Sequence, residues 1–168
     1  EGTYDEKWVT LIRNLREIYD GELVYSFNWD KVQALNQLGF IDELDYIGID
    51  AYFPLDVPDH ADVTLLIKKW QEWLNQVKDD LKDKPIIVSE VGTLPVTGSY
   101  RTPYAWEYVG RPYDREAQVQ YYDASFQVWM PLSEGIYWWC VTLDDEGSIN
   151  YSPLYSATEE VIKAYFLK

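Results

Sequence analysis

Four times along this chain a short run of branched and aliphatic residues gives way to a stretch with helical periodicity. That alternation narrows the fold more than any other feature. The runs predict strands over 23–27, 44–51, 85–90 and 136–142. Helices are expected over 5–19, 62–81, 115–132 and 157–167, with a brief helical stretch at 31–38. In the opening helix Trp8, Leu11, Ile12, Leu15 and Ile18 recur at helical spacing. Thr3 with Glu6 makes a capping box, and Gly21 stands where a helix stop is expected. Asp114 can cap the helix at 115, and Ser156 with Glu159 repeats the capping-box pattern at 157.

Strands that alternate with helices form a parallel sheet through right-handed crossovers. Four parallel strands cannot close a barrel, which takes eight. The chain also opens on a helix with no strand before it. Two architectures remain, an open doubly wound sheet or the C-terminal half of a parallel (β/α)₈ TIM barrel. The strandless start favours the half-barrel, as a single domain over 1–168. Glu1 is not an initiator methionine and no signal peptide follows it. The natural N-terminus, with any targeting information, is therefore expected upstream, and the compartment is left undetermined.

Composition excludes some functions. Formal net charge is −15, from 29 acidic against 14 basic residues, and no basic run breaks the pattern. Such a surface repels phosphate backbones, so nucleic acid is not an expected partner. No apolar stretch approaches membrane-spanning length, so no membrane partner is expected either. Cys140 is the single cysteine, which rules out an intrachain disulfide. It reads as a buried small apolar residue.

In a parallel sheet the carboxyl ends of the strands gather at one rim, where α/β folds place their chemistry. Here that rim carries Asn28 and Trp29, then Asp50 and Tyr52, then Glu90, then Trp138 and Trp139. Glu90 is the most pointed of these. It closes the apolar run Pro-Ile-Ile-Val-Ser-Glu and is followed at once by Val91 and Gly92. A carboxylate in such a place is costly unless paired or used. Sugar rings present apolar C–H faces to indoles, while carboxylates and amides take their hydroxyls. One carboxylate among flat aromatics therefore suits carbohydrate. Such a glutamate can attack an anomeric carbon, provided a second carboxyl group lies about 5–5.5 Å away as acid and base. No other strand ends in a glutamate, and Asp50 can equally anchor a loop.

The segments Leu-Val-Tyr-Ser-Phe-Asn-Trp, Leu-Asp-Tyr-Ile-Gly-Ile-Asp-Ala-Tyr-Phe-Pro-Leu, Pro-Ile-Ile-Val-Ser-Glu-Val-Gly and Gly-Ile-Tyr-Trp-Trp resemble strands five to eight of a clan A glycoside hydrolase barrel. The resemblance points to the β-mannanases of glycoside hydrolase family 113, with the second and third segments the specific ones. It implies a retaining hydrolase of a β-linked oligo- or polysaccharide, mannan above glucan or xylan, with no metal and no organic cofactor. Glu90 would be the nucleophile and Tyr52 the tyrosine that orients it. One of Trp138 and Trp139 would be the platform under the sugar, and Trp29 with Asn28 would border the cleft. Adjacent strand residues face opposite ways, and Trp139 shares parity with Tyr137, so Trp139 is preferred. The family's acid/base glutamate would end the strand before the opening helix, which places it upstream of residue 1, with Glu1 as the alternative. The chain alone is then expected to be inactive and to need the N-terminal half-barrel. A non-catalytic carbohydrate-binding or degenerate barrel is the alternative function.

Other residues have plainer readings. Trp70 and Trp73 lie on a helical stripe and read as core, and His60 reads as a loop residue. Tyr100, Tyr104, Trp106 and Tyr108 sit in the long 92–113 loop, where they line subsites or pack the loop. Asp144, Asp145 and Glu146 read as a solvated acidic turn rather than a calcium site. Ser89 lacks the glycine pattern of a nucleophile elbow.

Overall fold

The computed structural model describes residues 5–81, 84–143 and 149–167. Thr3, the alternative acid/base residue Glu1 and the 144–146 acidic turn lie outside the described residues. Four strands, β1 (Val24–Asn28), β2 (Tyr46–Asp50), β3 (Ile86–Val91) and β4 (Gly135–Trp138), form one parallel sheet in the order β1-β2-β3-β4. They alternate with helices α1 (Asp5–Arg16), α2 (Val63–Val77), α3 (Arg115–Trp129) and α4 (Ala157–Phe166). Spatial order equals chain order, and it never reverses. Right-handed crossovers that always step the same way leave every helix on one face, which is how a barrel is wound. A doubly wound sheet needs a reversal point, so that alternative is excluded.

Alternation along each strand divides the sheet. Phe27, Ile47, Ile49 and Val88 point to the helices and are wholly buried. Each such side chain contributes roughly 1.5–3 kcal/mol of hydrophobic stabilisation. Behind them Trp70 of α2 and Trp129 of α3 meet edge to face, with centroids 5.6 Å apart, and Phe53 packs on both. Trp73 is only partly buried. Its indole N–H donates to the Pro54 carbonyl at 2.8 Å and its ring meets Trp29 edge-on. On the opposite face Val24 is exposed, and Tyr137 is 62% exposed. Among the described residues β1 pairs only with β2, and β4 only with β3, so the sheet has an open edge at each end.

Several local expectations need correction. α1 ends at Arg16 rather than at residue 19, and of its apolar stripe Ile12 alone is buried. Leu11 and Leu15 are exposed and Ile18 is 84% exposed, because no described element packs against that side. Gly21 does not cap the helix. Its carbonyl accepts from the Arg16 guanidinium at 2.5 Å, five residues beyond the helix end. The stretch after β1 is 3₁₀ helix over Trp29–Gln37, and a second 3₁₀ segment, Gly39–Glu43, follows. Short β4 ends at Trp138, four residues before the expected end. Asp114 caps its helix as expected, Asp62 adds a cap that was not foreseen, and the pair of Ser156 and Glu159 forms in altered form. Asp62 and Asp114 accept from Leu65 and Ala117 N–H groups at 2.9 and 3.2 Å. Ser156 Oγ accepts from Thr158 at 3.2 Å, and Glu159 reaches back to the Tyr155 N–H at 2.6 Å.

Candidate active site

The carboxyl rim is built by register. Asn28 of β1 stands opposite Asp50 of β2, and Asp50 stands opposite Glu90 of β3, so three polar side chains lie in one row. Strict alternation would not place Glu90 there. Ile86 and Val88 face the helices, and a residue two further on would follow them into the apolar layer. The register slips between Ile49 and Asp50 on one side of β3, and between Val88 and Val91 on the other. That irregularity lets both Ser89 and Glu90 turn to the open face, while Val91 returns to the buried one.

The result is a cavity of about 310 Å³ with Asn28, Asp50, Tyr52 and Glu90 along its polar side. Tyr104, Trp106, Trp139 and Tyr151 make the rest of its wall. The Tyr52 hydroxyl donates to Glu90 Oε2 at 3.0 Å. Ser89 Oγ donates to Asp50 Oδ1 at 2.9 Å, so Asp50 is a cavity carboxylate held by its neighbour rather than a loop anchor. Burial pushes the Glu90 pKa up, the Tyr52 hydrogen bond pulls it down, and the nearby Asp50 charge pushes it up again. The net direction is upward. Tyr52 thus opposes a shift that burial and Asp50 together impose, and its own phenol is pushed far up by burial and by the Glu90 charge. Asp50 is likewise raised by burial, with the Ser89 bond acting against it.

Of the adjacent tryptophans, Trp139 lines the cavity. Trp138 turns the other way and stacks on Tyr122 of α3, with centroids 4.0 Å apart and planes 12° from parallel. It packs half-buried against the core, so of the two tryptophans expected to lie under the sugar it is the one turned away from the cavity. Gly92 explains how β3 and the Trp139 segment approach so closely. A Cβ there would fall inside the van der Waals envelope of the Trp139 carbonyl oxygen. Trp29 does not line the cavity itself. Its ring lies parallel to Tyr104, centroids 6.0 Å apart, and supports that wall from behind.

The four aromatic candidates in the 92–113 loop divide two and two. Tyr100 is buried and its hydroxyl donates to Pro58 at 2.6 Å and accepts from Ala61 at 3.1 Å, so it packs the loop. Tyr108 does the same through the Ser99 carbonyl at 2.7 Å. Tyr104 and Trp106 face the cavity. Tyr151 was not foreseen, since it sits in an irregular stretch with no periodicity or motif to mark it. His60 sits in a loop as expected, 3.3 Å from Asp114. Cys140 is only partly buried, at the edge of a small cluster with Tyr52 and Tyr151. Among the described residues no group of three or more His, Cys, Asp or Glu side chains is arranged to hold a metal ion. No helix among them is long and apolar enough to cross a membrane.

Residues 2–146 match the sequence profile of Glycoside Hydrolase Family 113. The chain belongs to that family. Its fold is similar to a GH113 β-1,4-mannanase structure, with a TM-score of 0.79 and 25% identity over 99% of this chain and 52% of that one. It is also similar to the GH113 β-mannanase of Alicyclobacillus acidocaldarius, with a TM-score of 0.76 and 21% identity over 97% of this chain and 50% of that one. A family 17 β-1,3-glucanosyltransferase of Rhizomucor miehei shares the fold more loosely, with a TM-score of 0.58 and 12% identity over 89% of this chain and 53% of that one. No match to the chain was found among curated proteins. This GH113 chain spans about half the length of the solved mannanases it matches, and its sheet corresponds to half of a TIM barrel.

Proposed function

We propose that this GH113 chain carries the nucleophile side of a retaining β-mannanase site. The observation that carries the reading is the hydrogen bond from Tyr52 to Glu90 inside a cavity walled by Trp139, in a chain of this family. Glu90 Oε attacks the anomeric carbon of a β-linked mannose unit, and the bond from that carbon to the glycosidic oxygen breaks. The departing oxygen takes its proton from an acid/base glutamate on the half of the barrel that this chain does not span. Water, deprotonated by the same glutamate, then displaces Glu90 and restores the free carboxylate. Tyr52 holds one Glu90 oxygen and leaves the other to attack. Trp139 offers its indole face to the apolar side of the sugar ring.

Mannan is favoured because the GH113 structures of similar fold are described as β-mannanases. The test is hydrolysis of β-1,4-mannan by the full-length protein and by its Glu90→Gln variant, followed by labelling with an activated 2-fluoro mannoside. Loss of turnover in the variant and label on Glu90 support the reading. Near-normal turnover, or label on another residue, refutes the nucleophile assignment. A full-length protein that binds mannan without cleaving it supports the non-catalytic alternative.

A further inference from the structure

Beside the polar row, the cavity is lined by two loop aromatics, Tyr104 and Trp106. Both are unusually open to water, Trp106 at 68% exposure and Tyr104 at 45%. Neither ring is loose. Tyr104 lies parallel to Trp29, at 10° between planes, and Trp29 is braced edge-on by Trp73. Trp106 meets Trp139 and Tyr151 edge-on, with centroids 6.1 and 5.5 Å apart.

The backbone that carries them is clamped. The Tyr151 hydroxyl reaches the carbonyls of Pro103 at 2.6 Å and Ala105 at 3.0 Å, one on each side of Tyr104. Asp59 pairs with both Arg101 and Arg111, and Val96 bridges to Tyr113 across the loop. Contacts at ring edges and on one ring face thus fix the two side chains while further aromatic surface stays free. Preorganisation of this kind lowers the ordering cost of a ligand that lies on it. None of the described residues lining the cavity is basic, and two are carboxylates. Such a lining repels anions, and its aromatic faces beside hydrogen-bonding groups suit a ligand with apolar C–H faces and hydroxyl edges.

We propose that Tyr104 and Trp106 form a second sugar subsite, which takes the pyranose ring next to the one held by Trp139 and Glu90. This rests on the reading of the cavity as a β-linked saccharide site, and adds where the chain of sugars runs beyond the cleaved unit. It also gives the 92–113 loop a role in preferring long substrates over short ones.

The test measures binding of β-1,4-mannobiose and β-1,4-mannohexaose by calorimetry to full-length protein carrying Glu90→Gln. The same measurement is repeated with Trp106→Ala, Tyr104→Ala and Trp106→Phe added singly. The quantity read is the gain in affinity from the short to the long saccharide. Each alanine variant is expected to cut that gain about tenfold, the scale of one lost aromatic contact, and Trp106→Phe to keep most of it. Variants that keep the full gain, or that lose affinity for both saccharides by the same factor, overturn the subsite and leave the saccharide reading standing. A Glu90→Gln parent that binds neither saccharide removes the saccharide reading and the subsite together.

Discussion

The two faces of the sheet are made by the same four strands and have opposite fates. On the helix side Phe27, Ile47, Ile49 and Val88 are wholly buried, and Trp70, Trp129 and Trp138 complete the layer. On the other side Val24 and Tyr137 are exposed, and only the carboxyl rim is furnished with function-bearing groups. The closed face supplies burial, which is what stabilises the chain. The open face supplies a row of polar groups whose position depends on that burial but adds little to it. Stability and chemistry should therefore be separable by substitution, and Gly92 marks the place where they meet.

The largest expected effect breaks the open face alone. On the proposed mechanism, Glu90→Gln in the full-length protein should lower kcat on β-mannan on the order of 10⁴-fold, as loss of a covalent nucleophile does. It should not lower stability. Glu90 has a folded pKa above its ordinary value, so its contribution favours folding at low pH and is lost as pH rises through the folded value. At neutral pH the ionised group is a cost, and glutamine removes it. Thermal melts should show the variant at least as stable as the parent at pH 7, with the advantage vanishing in acid.

Trp70→Ala should do the reverse. It empties a site between Phe53, Tyr121 and Trp129, and about 3–5 kcal/mol of stability should go with it. The protein that remains folded should keep its kcat, which activity per folded molecule after denaturant titration will show. A loss of kcat in that fraction would mean that the two faces are not separable.

Gly92→Ala should touch both faces. The added methyl collides with the Trp139 carbonyl, which is backbone and cannot swing aside. A cost of about 1–3 kcal/mol is expected, as for overpacking elsewhere. Because the strain falls on Trp139, KM for short mannosides should rise as well. A melting change with no kinetic change would place Gly92 on the closed face only.

The smallest effect is a movement of the acid limb of kcat/KM against pH. On the proposed mechanism Glu90 attacks in its ionised form, and its pKa is raised, so the limb should lie above the ordinary glutamate range. Asp50→Asn removes one of the two raising influences and should move the limb to lower pH. Tyr52→Phe removes the lowering hydrogen bond and should move it to higher pH. Movement of both in the same direction would contradict the assignment of Asp50 and Tyr52 to opposite influences on Glu90.

Much of this was legible in the chain. The 3.6-residue and two-residue periodicities are local properties, so the four strands and four helices are found within a few residues of their predicted places. Errors gather where a local rule meets a tertiary fact. The α1 stripe reads as core and stays exposed at Leu11, Leu15 and Ile18, because periodicity marks an apolar face without saying what covers it. The 3₁₀ segment Gly39–Glu43 was missed, and its start is tied by the Asp5 carboxylate to the Phe40 N–H at 3.0 Å, a contact 35 residues apart in sequence. Tyr151 is held at the cavity by groups distant in sequence, its hydroxyl bonding the Pro103 and Ala105 carbonyls nearly 50 residues away.

The sequence by itself determined the parallel α/β alternation, a rim bearing Asn28, Trp29, Asp50, Tyr52, Glu90, Trp138 and Trp139, and the family. These follow from chain-local patterns and from motif words that can be read without a fold. The structure kept Trp139, and not Trp29 or Trp138, in the cavity wall. Tertiary structure alone decided that β3 slips its register so that Glu90 faces the cavity rather than the apolar layer with Ile86 and Val88. It also showed which loop aromatics line the wall, and the net direction of the Glu90 pKa. Each is a balance struck between groups distant in sequence, and side-chain direction at a bulge or charge in a cavity depends on which of those groups arrive together.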